Sequence, residues 1–528
     1  MFNDLRMFAR YAWGLKGYLS QTLTPEQCRR MLMDGLENRD ESFLRIIERG
    51  IYANPRSPYR KLLLHAGVEF GDVAQLLHQL GIEGTLAKLY DEGVYVTLEE
   101  FKGRRPVQRQ GLEFPAHPQD FDNPLLAKYY EGRSSGSRSA GTRVIVDLDL
   151  LTQEAAYFHY FLTVFNLAER PIGAWREVPP VTAGMKLLLR YAKVGKSVER
   201  WFAQSELSWS PKGLKFAIFT KYTIYAGRIF GKRLPMPEYV PLEEAYKVAH
   251  WLSLKKNEGT PATLDSQASS GVRVCLAAME KGLDISGTFF RFGGEPFTTA
   301  KAEVVAETGS GAVCHYSMAE VGTIGIACAA PIYLDDVHIL TDKIAAIQRP
   351  KTLGSDGLSV DALVYTTVLP SCPKLMLNVE SDDYGILEER VCGCPIGKLG
   401  FTKHLSRIRS YEKLTSGGVT FLGTELLRLV EEVLPAHFGG HPTDYQFVEE
   451  EEGGLPKVNI LVSPRVGNIS EKTVMDTVFQ TLGLYPGGNI MADQWRHGQT
   501  LRVIRGEPYS TASAKILPLH ILQKKGGK

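Results

Sequence analysis

Residues 289–296 read FFRFGGEP, three phenylalanines around one arginine that run directly into a glycine-rich turn. A short apolar run that ends at Gly-Gly and a nearby proline is typical of a buried strand followed by a turn. On its amino-terminal side, the spacing of apolar residues predicts helices over about 242–254 and 271–281, the second ending at Gly282. Helices that alternate with short strands indicate an α/β protein built of packed layers.

Three more segments carry residues suited to chemistry, at 134–139 (SSGSRS), 316–320 (YSMAE) and 511–516 (TASAKI). The first precedes a strand-like run over 144–151, and its small residues let backbone N–H groups approach an anion closely. A phosphate-binding loop is therefore one interpretation of this segment. A flexible Gly/Ser linker is the other, and composition alone does not separate the two.

The order and spacing of these four segments resemble the adenylate-forming (acyl-CoA synthetase) superfamily, and most closely its phenylacetate-CoA ligase branch. The resemblance covers most of the chain, including residues 54–60 (NPRSPYR) and 320–328, and it is weakest over 183–235. It implies a large N-terminal α/β adenylation domain over residues 1–408. A small, mobile α+β domain that carries the catalytic lysine would follow over residues 409–528.

The resemblance also implies an AMP-forming acid–thiol ligase. In that reaction a carboxylate attacks the α-phosphate of ATP, which gives an acyl-adenylate and pyrophosphate, and the thiol of coenzyme A or of a carrier protein then displaces AMP. The implied catalytic residues are Lys515, Glu320 and Arg409. The implied nucleotide-binding residues are Ser135, Gly136, Ser137, Gly294, Glu295, Pro296, Tyr316, Asp383 and Arg409.

Each of these residues takes a role from the motif that it matches. Residues 135–137 would hold the β- and γ-phosphates, and residues 294–296 together with Tyr316 would enclose the adenine. Asp383 would bind the ribose. Glu320 would bind Mg²⁺, a hard cation that prefers carboxylate oxygen as a ligand.

The two remaining matches lie in the C-terminal part of the chain. Arg409 corresponds to the arginine that opens the hinge motif, and Lys515 to the mobile lysine that bridges the substrate carboxylate and the α-phosphate. The sequence departs from the family pattern at Ala514 and also at Ala319, whose methyl group cannot hydrogen-bond to the α-phosphate. Residues 138–139 depart as well, since they read Arg-Ser where the family usually has Thr-Gly.

A separate pattern, Cys-x9-His followed by Cys-x-Cys, is formed by Cys328, His338, Cys392 and Cys394. Thiolates with one imidazole suit tetrahedral Zn²⁺. Buried free cysteines beside a structural histidine are the alternative that the residues alone leave open. Some members of the phenylacetate-CoA ligase branch carry a structural zinc at a similar place, so the resemblance implies zinc here.

The composition limits the class of protein. The 528 residues include 61 Lys and Arg against 59 Asp and Glu, which excludes a surface built throughout to hold nucleic acid. Seven cysteines, an odd and low number, and an N-terminus unlike a signal peptide predict a cytoplasmic protein. The longest mostly apolar run, over 321–334, is too short to be a transmembrane segment.

Residues 183–235 contain eleven Lys or Arg and only two acids, with aromatic residues interleaved. Such a stretch is suited to a membrane surface or to an acidic partner such as an acyl carrier protein. The alternative is a solvated charged face over packed aromatic residues.

The function itself also has alternatives at this stage. An adenylating enzyme that loads a carrier protein or an amine is one, and a non-catalytic nucleotide-binding descendant is another. The carboxylic acid is not readable from the sequence. Phe289, Phe290 and Phe292 suit an aryl or apolar acyl group, or else belong to the core.

Overall fold

The computed structural model describes residues 2–126, 130–133, 143–207, 213–353, 358–410, 413–416, 419–422, 429–440, 444–452, 455–484, 492, 495–509 and 519–521. The helices are α1 (Phe2–Ser20), α2 (Pro25–Glu37), α3 (Arg39–Arg45), α4 (Pro58–His65), α5 (Phe70–Asp91), α6 (Leu98–Phe101), α7 (Leu148–Val164), α8 (Ala183–Lys193), α9 (Leu214–Ile229), α10 (Ala245–Asn257), α11 (Ala268–Lys281), α12 (Thr299–Glu307), α13 (Leu434–Phe438) and α14 (Glu471–Gly483).

The strands are β1 (Val107–Arg109), β2 (Leu112–Phe114), β3 (Tyr130–Arg133), β4 (Arg143–Val146), β5 (Ile172–Trp175), β6 (Val198–Ala203), β7 (Pro237–Tyr239), β8 (Thr263–Ser266), β9 (Phe289–Gly293), β10 (Gly311–Met318), β11 (Gly322–Ala327), β12 (Val337–Ile339), β13 (Ile344–Leu353), β14 (Leu358–Thr367), β15 (Val379–Glu389), β16 (Lys403–Ser410), β17 (Lys413–Ser416), β18 (Val419–Leu422), β19 (Tyr445–Glu452), β20 (Leu455–Val462), β21 (Leu501–Arg505) and β22 (Leu519–Ile521).

Most of the strands form one sheet. Its order in the described residues is β13-β14-β15-β16-β12-β11-β10-β9-β8-β5-β6-β7. From β7 to β10 all neighbours are parallel, and from β10 to β13 all neighbours are antiparallel. Strand β10 therefore belongs to both halves, and the mixed α/β architecture predicted from the sequence is confirmed.

Local sequence signals explain several helix ends. The side chain of Thr24 accepts a hydrogen bond from the backbone N–H of Gln27 and caps α2, with Pro25 at the first helical position. Ser470 caps α14 in the same way. Gly282 ends α11 in the left-handed conformation, at φ 64°. The helix predicted over 242–254 forms as a 3₁₀ turn followed by α10.

Two local predictions were wrong. The strand predicted over 144–151 is β4 and ends at Val146, because Asp147 accepts hydrogen bonds from two backbone N–H groups and starts helix α7. The second concerns the acidic run 449–452: four consecutive glutamates between elements predict an exposed loop, but the run is the end of β19. Pairing with β20 along its whole length keeps these glutamates in a strand despite their low intrinsic preference for one.

The C-terminal part of the described chain has a core of its own. Strands β21, β20, β19 and β22 form a sheet in that order, and α14 packs on it through Val474, Val478 and Leu482. Every buried residue of this core lies between residues 429 and 503. A hydrogen bond of 2.8 Å from the Arg273 guanidinium to the Gly498 carbonyl joins it to α11.

The basic segment 183–235 divides into two different helices. Three of its cations lie on α8, of which Arg190 and Lys193 are buried and Lys186 is half-buried. On α9, in contrast, apolar side chains face solvent. None of the helices in the described part of the chain combines the length and the apolar character needed to cross a bilayer.

Candidate functional site

The turn at residues 293–296 begins at the last residue of β9, at the carboxyl end of the parallel strands. Gly294 has φ +86°, a conformation that side chains other than glycine rarely adopt. Thr298 caps α12, and from that helix Lys301 donates a hydrogen bond of 2.8 Å to the carbonyl of Pro296. The buried carboxylate of Glu295 lies 3.9 Å from the same ammonium group, so α12 holds the turn in one shape.

Tyr316 lies beside this turn because β10 and β9 are paired in parallel register. His315 is opposite Gly293, which places Tyr316 directly after it, where a bulge interrupts the pairing of β10 with β11. The Tyr316 hydroxyl donates a hydrogen bond of 2.6 Å to the carboxylate of Asp383 on β15. Burial, together with the negative charge of Asp383, raises the pKa of Tyr316 well above its ordinary value. Tyr365 donates to the Tyr316 hydroxyl from β14 at 3.3 Å.

Arg409 comes next to Asp383 through the pairing of β15 with β16. In that ladder Tyr384 is opposite Arg409. The Arg409 guanidinium donates to the carboxylate of Asp335 at 2.9 Å and to the carbonyl of Ile408 at 2.7 Å. Residues predicted from four separate motifs thus lie on β10, on β15, on β16 and in the turn after β9. The hydrogen bond from Tyr316 to Asp383 links β10 directly to β15, although β11, β12 and β16 lie between them in the sheet order.

Glu320 occupies the turn between β10 and β11 and is only 7% exposed. Its carboxylate is paired with the ammonium group of Lys102, which follows helix α6. The side chain of Lys102 is itself 13% exposed, so the pair is shielded from solvent. Mg²⁺ prefers carboxylate oxygen as a ligand, so the side chain of Glu320 is chemically suited to bind it. Lys102 is a site neighbour that the sequence did not reveal.

A buried ionic cluster lies behind the same turn. Glu154 on α7 is 1% exposed and accepts from Lys343 at 2.9 Å, from Arg190 at 3.1 Å and from the backbone N–H of Thr323 at 2.8 Å. Burial alone would raise the pKa of Glu154, but Lys343 and Arg190 outweigh burial and lower it to about 2. Gly322 is required here, because a Cβ at that residue would lie 2.1 Å from a Glu154 carboxylate oxygen.

Lys186 completes this cluster. It lines a small cavity together with Asp147, Ala319 and Gly322, between strand β4 and the turn that carries Glu320. Burial lowers the pKa of Lys186 to about 8, and the attraction of Glu154 opposes that effect. In the described part of the chain, the Lys186 ammonium makes no hydrogen bond or ion pair. The sequence contained no signal for this residue, since Lys186 is one of eleven cations in a run.

Three of the four predicted metal ligands converge tightly, and the fourth lies beside them. The His338 Nε2 atom is 3.1 Å from the sulfur of Cys394 and 3.7 Å from that of Cys392. Its other ring nitrogen is 2.7 Å from the carbonyl of Phe401, an arrangement that leaves Nε2 directed at the thiols. A hydrogen bond between Cys328 and Cys394 lowers the pKa of Cys394 and raises that of Cys328.

His404 is a fifth donor that sequence reasoning missed. Together with Cys328, His338 and Cys392 it offers ligand atoms that all lie within 4.8 Å of one another. It lies opposite His338 in the pairing of β12 with β16, 66 residues apart along the chain, and only that register brings the two together. Within the described residues its buried Nε2 atom has no hydrogen-bond partner, although Nδ1 contacts Asp336 at 2.8 Å. The donor set therefore fits a soft divalent metal such as zinc.

The three phenylalanines for which the sequence left open either acyl contact or a place in the core pack against other aromatic rings. Phe290 and Phe292 are fully buried and pack on each other with ring centroids 5.5 Å apart. Phe289 packs on Phe165. Between β8 and β9 lies a buried ion network in which Asp265 pairs with both Arg176 and Arg291.

Comparisons with known proteins bear on the fold. No protein-family model matches the sequence, and no curated protein matches it. Among solved structures the chain is similar to a 2-hydroxyisobutyryl-CoA ligase in complex with 2-HIB-AMP and CoA, with a TM-score of 0.52 and 13% identity over 95% of this chain and 91% of that one. The chain has the adenylate-forming fold.

Other proteins with the adenylate-forming fold are also similar, at lower scores. An o-succinylbenzoate CoA synthetase from Bacillus subtilis is 12% identical, with a TM-score of 0.38 over 74% of this chain and 68% of that one. A fatty acyl-adenylate ligase from L. pneumophila is 13% identical, with a TM-score of 0.33 over 76% and 69%. The predicted resemblance to the superfamily is confirmed for the fold, whereas the phenylacetate-CoA ligase branch stays a prediction.

Two parts of the predicted site fall outside the described residues of this adenylate-forming fold. They are the proposed phosphate loop, with Ser135, Gly136 and Ser137, and the proposed catalytic residue Lys515. The strands β3 and β4 that flank the loop are described and pair antiparallel, with Arg133 opposite Arg143. This hairpin leads into Asp147 and the Lys186 cavity, on the same side as Glu320.

Proposed function

We propose that the protein is an ATP-dependent carboxylate–CoA ligase that forms an acyl-adenylate, releases pyrophosphate and then makes an acyl thioester. One observation carries the proposal: strand pairing and the hydrogen bond from Tyr316 to Asp383 bring together the turn 294–296, Tyr316, Asp383 and Arg409, which are distant in sequence. The fold supports it too, because the similar 2-hydroxyisobutyryl-CoA ligase is in complex with 2-HIB-AMP and CoA.

In this proposal the nucleotide binds beside the turn 294–296 and strands β10 and β15. Residues 294–296 and the ring of Tyr316 enclose the adenine, and Asp383, oriented by the Tyr316 hydroxyl, binds the ribose. Apolar and aromatic walls around the base exclude water from the mixed anhydride, which would otherwise hydrolyse. Arg409, which is held by Asp335, lies at the start of the segment that leads to the C-terminal unit.

The phosphates would lie next to the ionic cluster. The phosphate loop at 135–137 and the ammonium of Lys186 would bind them, because positive charge stabilises the attack of a carboxylate on an anionic phosphoryl group. Glu320 is the residue that would hold Mg²⁺, which neutralises charge on the phosphates when bound. Lys186 also provides a charged contact near Ala319, where the hydroxyl expected from the family pattern is missing.

Acid-dependent exchange of pyrophosphate into ATP tests the proposal, and Lys515→Ala tests the role of the mobile lysine. We expect this change to lower exchange by at least about a thousandfold, because a cation aimed at the reacting oxygens is lost, while ATP binding changes little. Lys472→Ala, on the exposed face of α14, is the matched control. Exchange that survives Lys515→Ala would contradict the role, and ATP binding without exchange for any acid would indicate a non-catalytic descendant.

We propose a chain of two units with a boundary near residue 409, as the sequence predicts. The separate core between residues 429 and 503 supports a second unit, which meets α11 through the hydrogen bond from Arg273 to Gly498. A cation delivered from a separate unit can approach for adenylation and withdraw for thioester formation.

We propose further that Cys328, His338, Cys392 and Cys394 bind a structural zinc ion. The short distances from His338 Nε2 to the two sulfurs support it, as does the adjacent His404, whose Nε2 has no hydrogen-bond partner among the residues that the structure describes. The cluster joins β12, β16 and the 392–394 segment, so a metal there would tie the centre of the sheet together. Its role would be structural, since it lies apart from Tyr316 and Asp383 along the sheet.

Helix α9 supports a membrane-surface role for part of the basic segment. Leu214, Ile218, Tyr222, Tyr225 and Ile229 follow helical spacing and are between 41% and 79% exposed. At 100° per residue, Lys215 lies on one side of this stripe and Lys221 and Arg228 on the other. The helix contains no acid, so its charge is complementary to anionic lipid. We propose that α9 lies on an anionic membrane surface.

A further inference from the structure

Three neighbouring parallel strands each deliver a polar side chain to the same edge of the sheet. Glu177 follows β5, Gln204 follows β6 and Gln267 follows β8. Ligands of open α/β sheets bind in the crevice outside the carboxyl ends of parallel strands. Strand β9, next in the sheet, ends at the turn with Glu295, whose charge acts on Glu177. The three side chains therefore border the proposed nucleotide site.

These side chains form one continuous hydrogen-bonded chain. Gln267 Nε2 donates to Glu177 Oε1 at 2.7 Å, and Gln204 Nε2 donates to Gln267 Oε1 at 2.9 Å and to the hydroxyl of Ser270 at 2.9 Å. An ionised carboxylate only accepts, so Glu177 fixes the direction of the chain: each amide nitrogen points towards Glu177. Two acceptors are left at its ends, Glu177 Oε2 and Gln204 Oε1.

Both of these oxygen atoms are buried and, among the described residues, have no hydrogen-bond partner. Glu177 as a whole is 2% exposed. The adjacent Arg176 is directed elsewhere: its Nε donates to Asp265 at 2.7 Å and its Nη2 to the Ser266 carbonyl at 2.7 Å. Leaving a buried acceptor without a donor costs about 1–3 kcal/mol each, so a ligand group that donates to both oxygen atoms would be stabilised there.

We propose that the carboxylate substrate carries a second polar group on its acyl part, an ammonium or a hydroxyl, that donates hydrogen bonds to Glu177 and Gln204. This inference rests on the proposed ligase function and narrows its substrate to amino or hydroxy acids. It also accounts for the absence of Phe290 and Phe292 from the site, since those rings are packed in the core. An apolar acyl group would leave both acceptors buried and unpaired, which disfavours simple fatty and aryl acids.

Pyrophosphate exchange with matched sets of acids tests the inference. Each set holds an unsubstituted acid, its ω-hydroxy form and its ω-amino form, in straight-chain and aryl series of increasing length. We expect one substituted form to exceed its unsubstituted parent by at least tenfold in kcat/KM. If the substrate's donor is an ammonium group, Glu177→Gln should lower kcat/KM for the amino-substituted acid more than for the hydroxy-substituted acid. If the donor is a hydroxyl group, Glu177→Gln should lower kcat/KM only slightly for both acids.

Glu177→Leu should reverse the preference, so that the unsubstituted acid becomes the better substrate. Gln204→Leu should weaken the preference for the substituted acid. Because Gln204 is less buried than Glu177, this variant keeps the test valid if Glu177→Leu fails to fold. Nucleotide affinity should stay constant in both variants. Exchange with unsubstituted acids that equals or exceeds the substituted forms in the unaltered protein would overturn the inference alone. Absence of exchange with every acid would overturn the proposed function and the inference with it.

Discussion

At the scale of single residues, the site depends on charges held away from water. Lys186 is surrounded by Glu154, Arg190, Lys343 and Glu320, and burial is the main reason that its pKa falls to about 8. Because the ordinary pKa is 10.5, the folded protein holds this lysine less firmly protonated than the unfolded chain does. The ammonium is charged below pH 8 and loses its charge as the pH rises through that value. An incoming phosphate would stabilise the charged form.

Lys186→Met should therefore raise the KM for ATP about tenfold at pH 7, the equivalent of about 1.4 kcal/mol. In the unaltered protein the same KM should rise between pH 7 and 9 as Lys186 deprotonates, whereas in the variant it should stay level. Stability at pH 7 should not fall, since a buried charge has been removed. Exchange kinetics between pH 7 and 9 measure the KM for ATP of both proteins, and thermal unfolding at pH 7 measures their stability.

Lys196→Met is the control for this experiment, because Lys196 makes only a surface ion pair with Glu169 at 3.0 Å. A KM for ATP that rises equally in both variants, or a variant whose pH profile follows the unaltered protein, would remove Lys186 from the phosphate site.

The sequence predicted those site residues whose motifs are local. The turn 293–296 and Tyr316 could be predicted as site residues because a few neighbouring residues define each pattern. Lys186 was missed because nothing in a run of cations distinguishes the one that α8 turns inward. His404 was missed for a different reason, since only the register of β12 against β16 brings it to His338. Contacts set by tertiary register lie beyond patterns read along the chain.

At the scale of elements, strand β12 and helix α9 each present groups suited to a binding partner: buried ligand atoms near β12 and exposed apolar side chains on α9. Strand β12 is three residues long and buried. Its His338 contacts the sulfurs of Cys394 and Cys392, and the neighbouring His404 has a ligand atom within 4.8 Å of Cys328 and Cys392. Helix α9 instead packs one face on α1, with Tyr11 and Thr223 in contact at 3.1 Å, and leaves the opposite face uncovered. Each arrangement predicts a binding partner of defined chemistry.

Cys392→Ser should lower the affinity for zinc by more than about a hundredfold, since even outer contacts of metal sites change it by 10–100-fold. Metal analysis of the purified protein and thermal unfolding with and without a chelator measure the effect. The chelator should lower the melting temperature of the unaltered protein and leave the variant unchanged. Cys275→Ser, at a buried cysteine outside the cluster, is the control for zinc content. Substoichiometric zinc in the unaltered protein would eliminate the metal site.

The triple variant Ile218→Ser, Tyr225→Ser, Ile229→Ser should abolish co-sedimentation with vesicles that contain phosphatidylserine. Three cations near anionic lipid contribute about 1 kcal/mol each, so vesicles of phosphatidylcholine alone should bind about a hundredfold less well. Salt at 1 M should weaken binding because it screens charge beyond about 3 Å. Failure of the unaltered protein to sediment with the vesicles would contradict lipid binding. A change of oligomeric mass in the variant would also contradict it and would indicate that α9 mediates self-association.

At the scale of the whole molecule, the chain divides its stability between separate cores. The described residues of the C-terminal core are drawn from one stretch of chain, whereas the large sheet is covered by three other clusters that include residues from 11 to 405. A substitution in the C-terminal core should therefore lower the stability of that unit before it affects the rest of the chain. Rates of adenylation would follow, because the proposed catalytic lysine belongs to that part of the chain.

Leu482→Ala, at a fully buried position of α14, should destabilise the C-terminal unit by about 2–5 kcal/mol through a cavity in its core. Calorimetry should show an earlier transition for that unit, with ATP binding by the rest of the chain retained. Leu484→Ala is the matched control, since Leu484 is 82% exposed and the change should stay within about 0.5 kcal/mol. One transition that shifts as a whole would contradict the division into two units.

The strand order also has a consequence for biosynthesis. Strand β12 pairs with β16, and Val337 meets Leu405 only after the excursion through β13, β14 and β15 has been made. On the ribosome the parallel half and β11 emerge first, so the growing sheet exposes a hydrophobic edge until residue 410 has left the tunnel. Closure of that edge is a late, long-range step, and nascent chains that stall before it are the ones most exposed to aggregation and most dependent on chaperones.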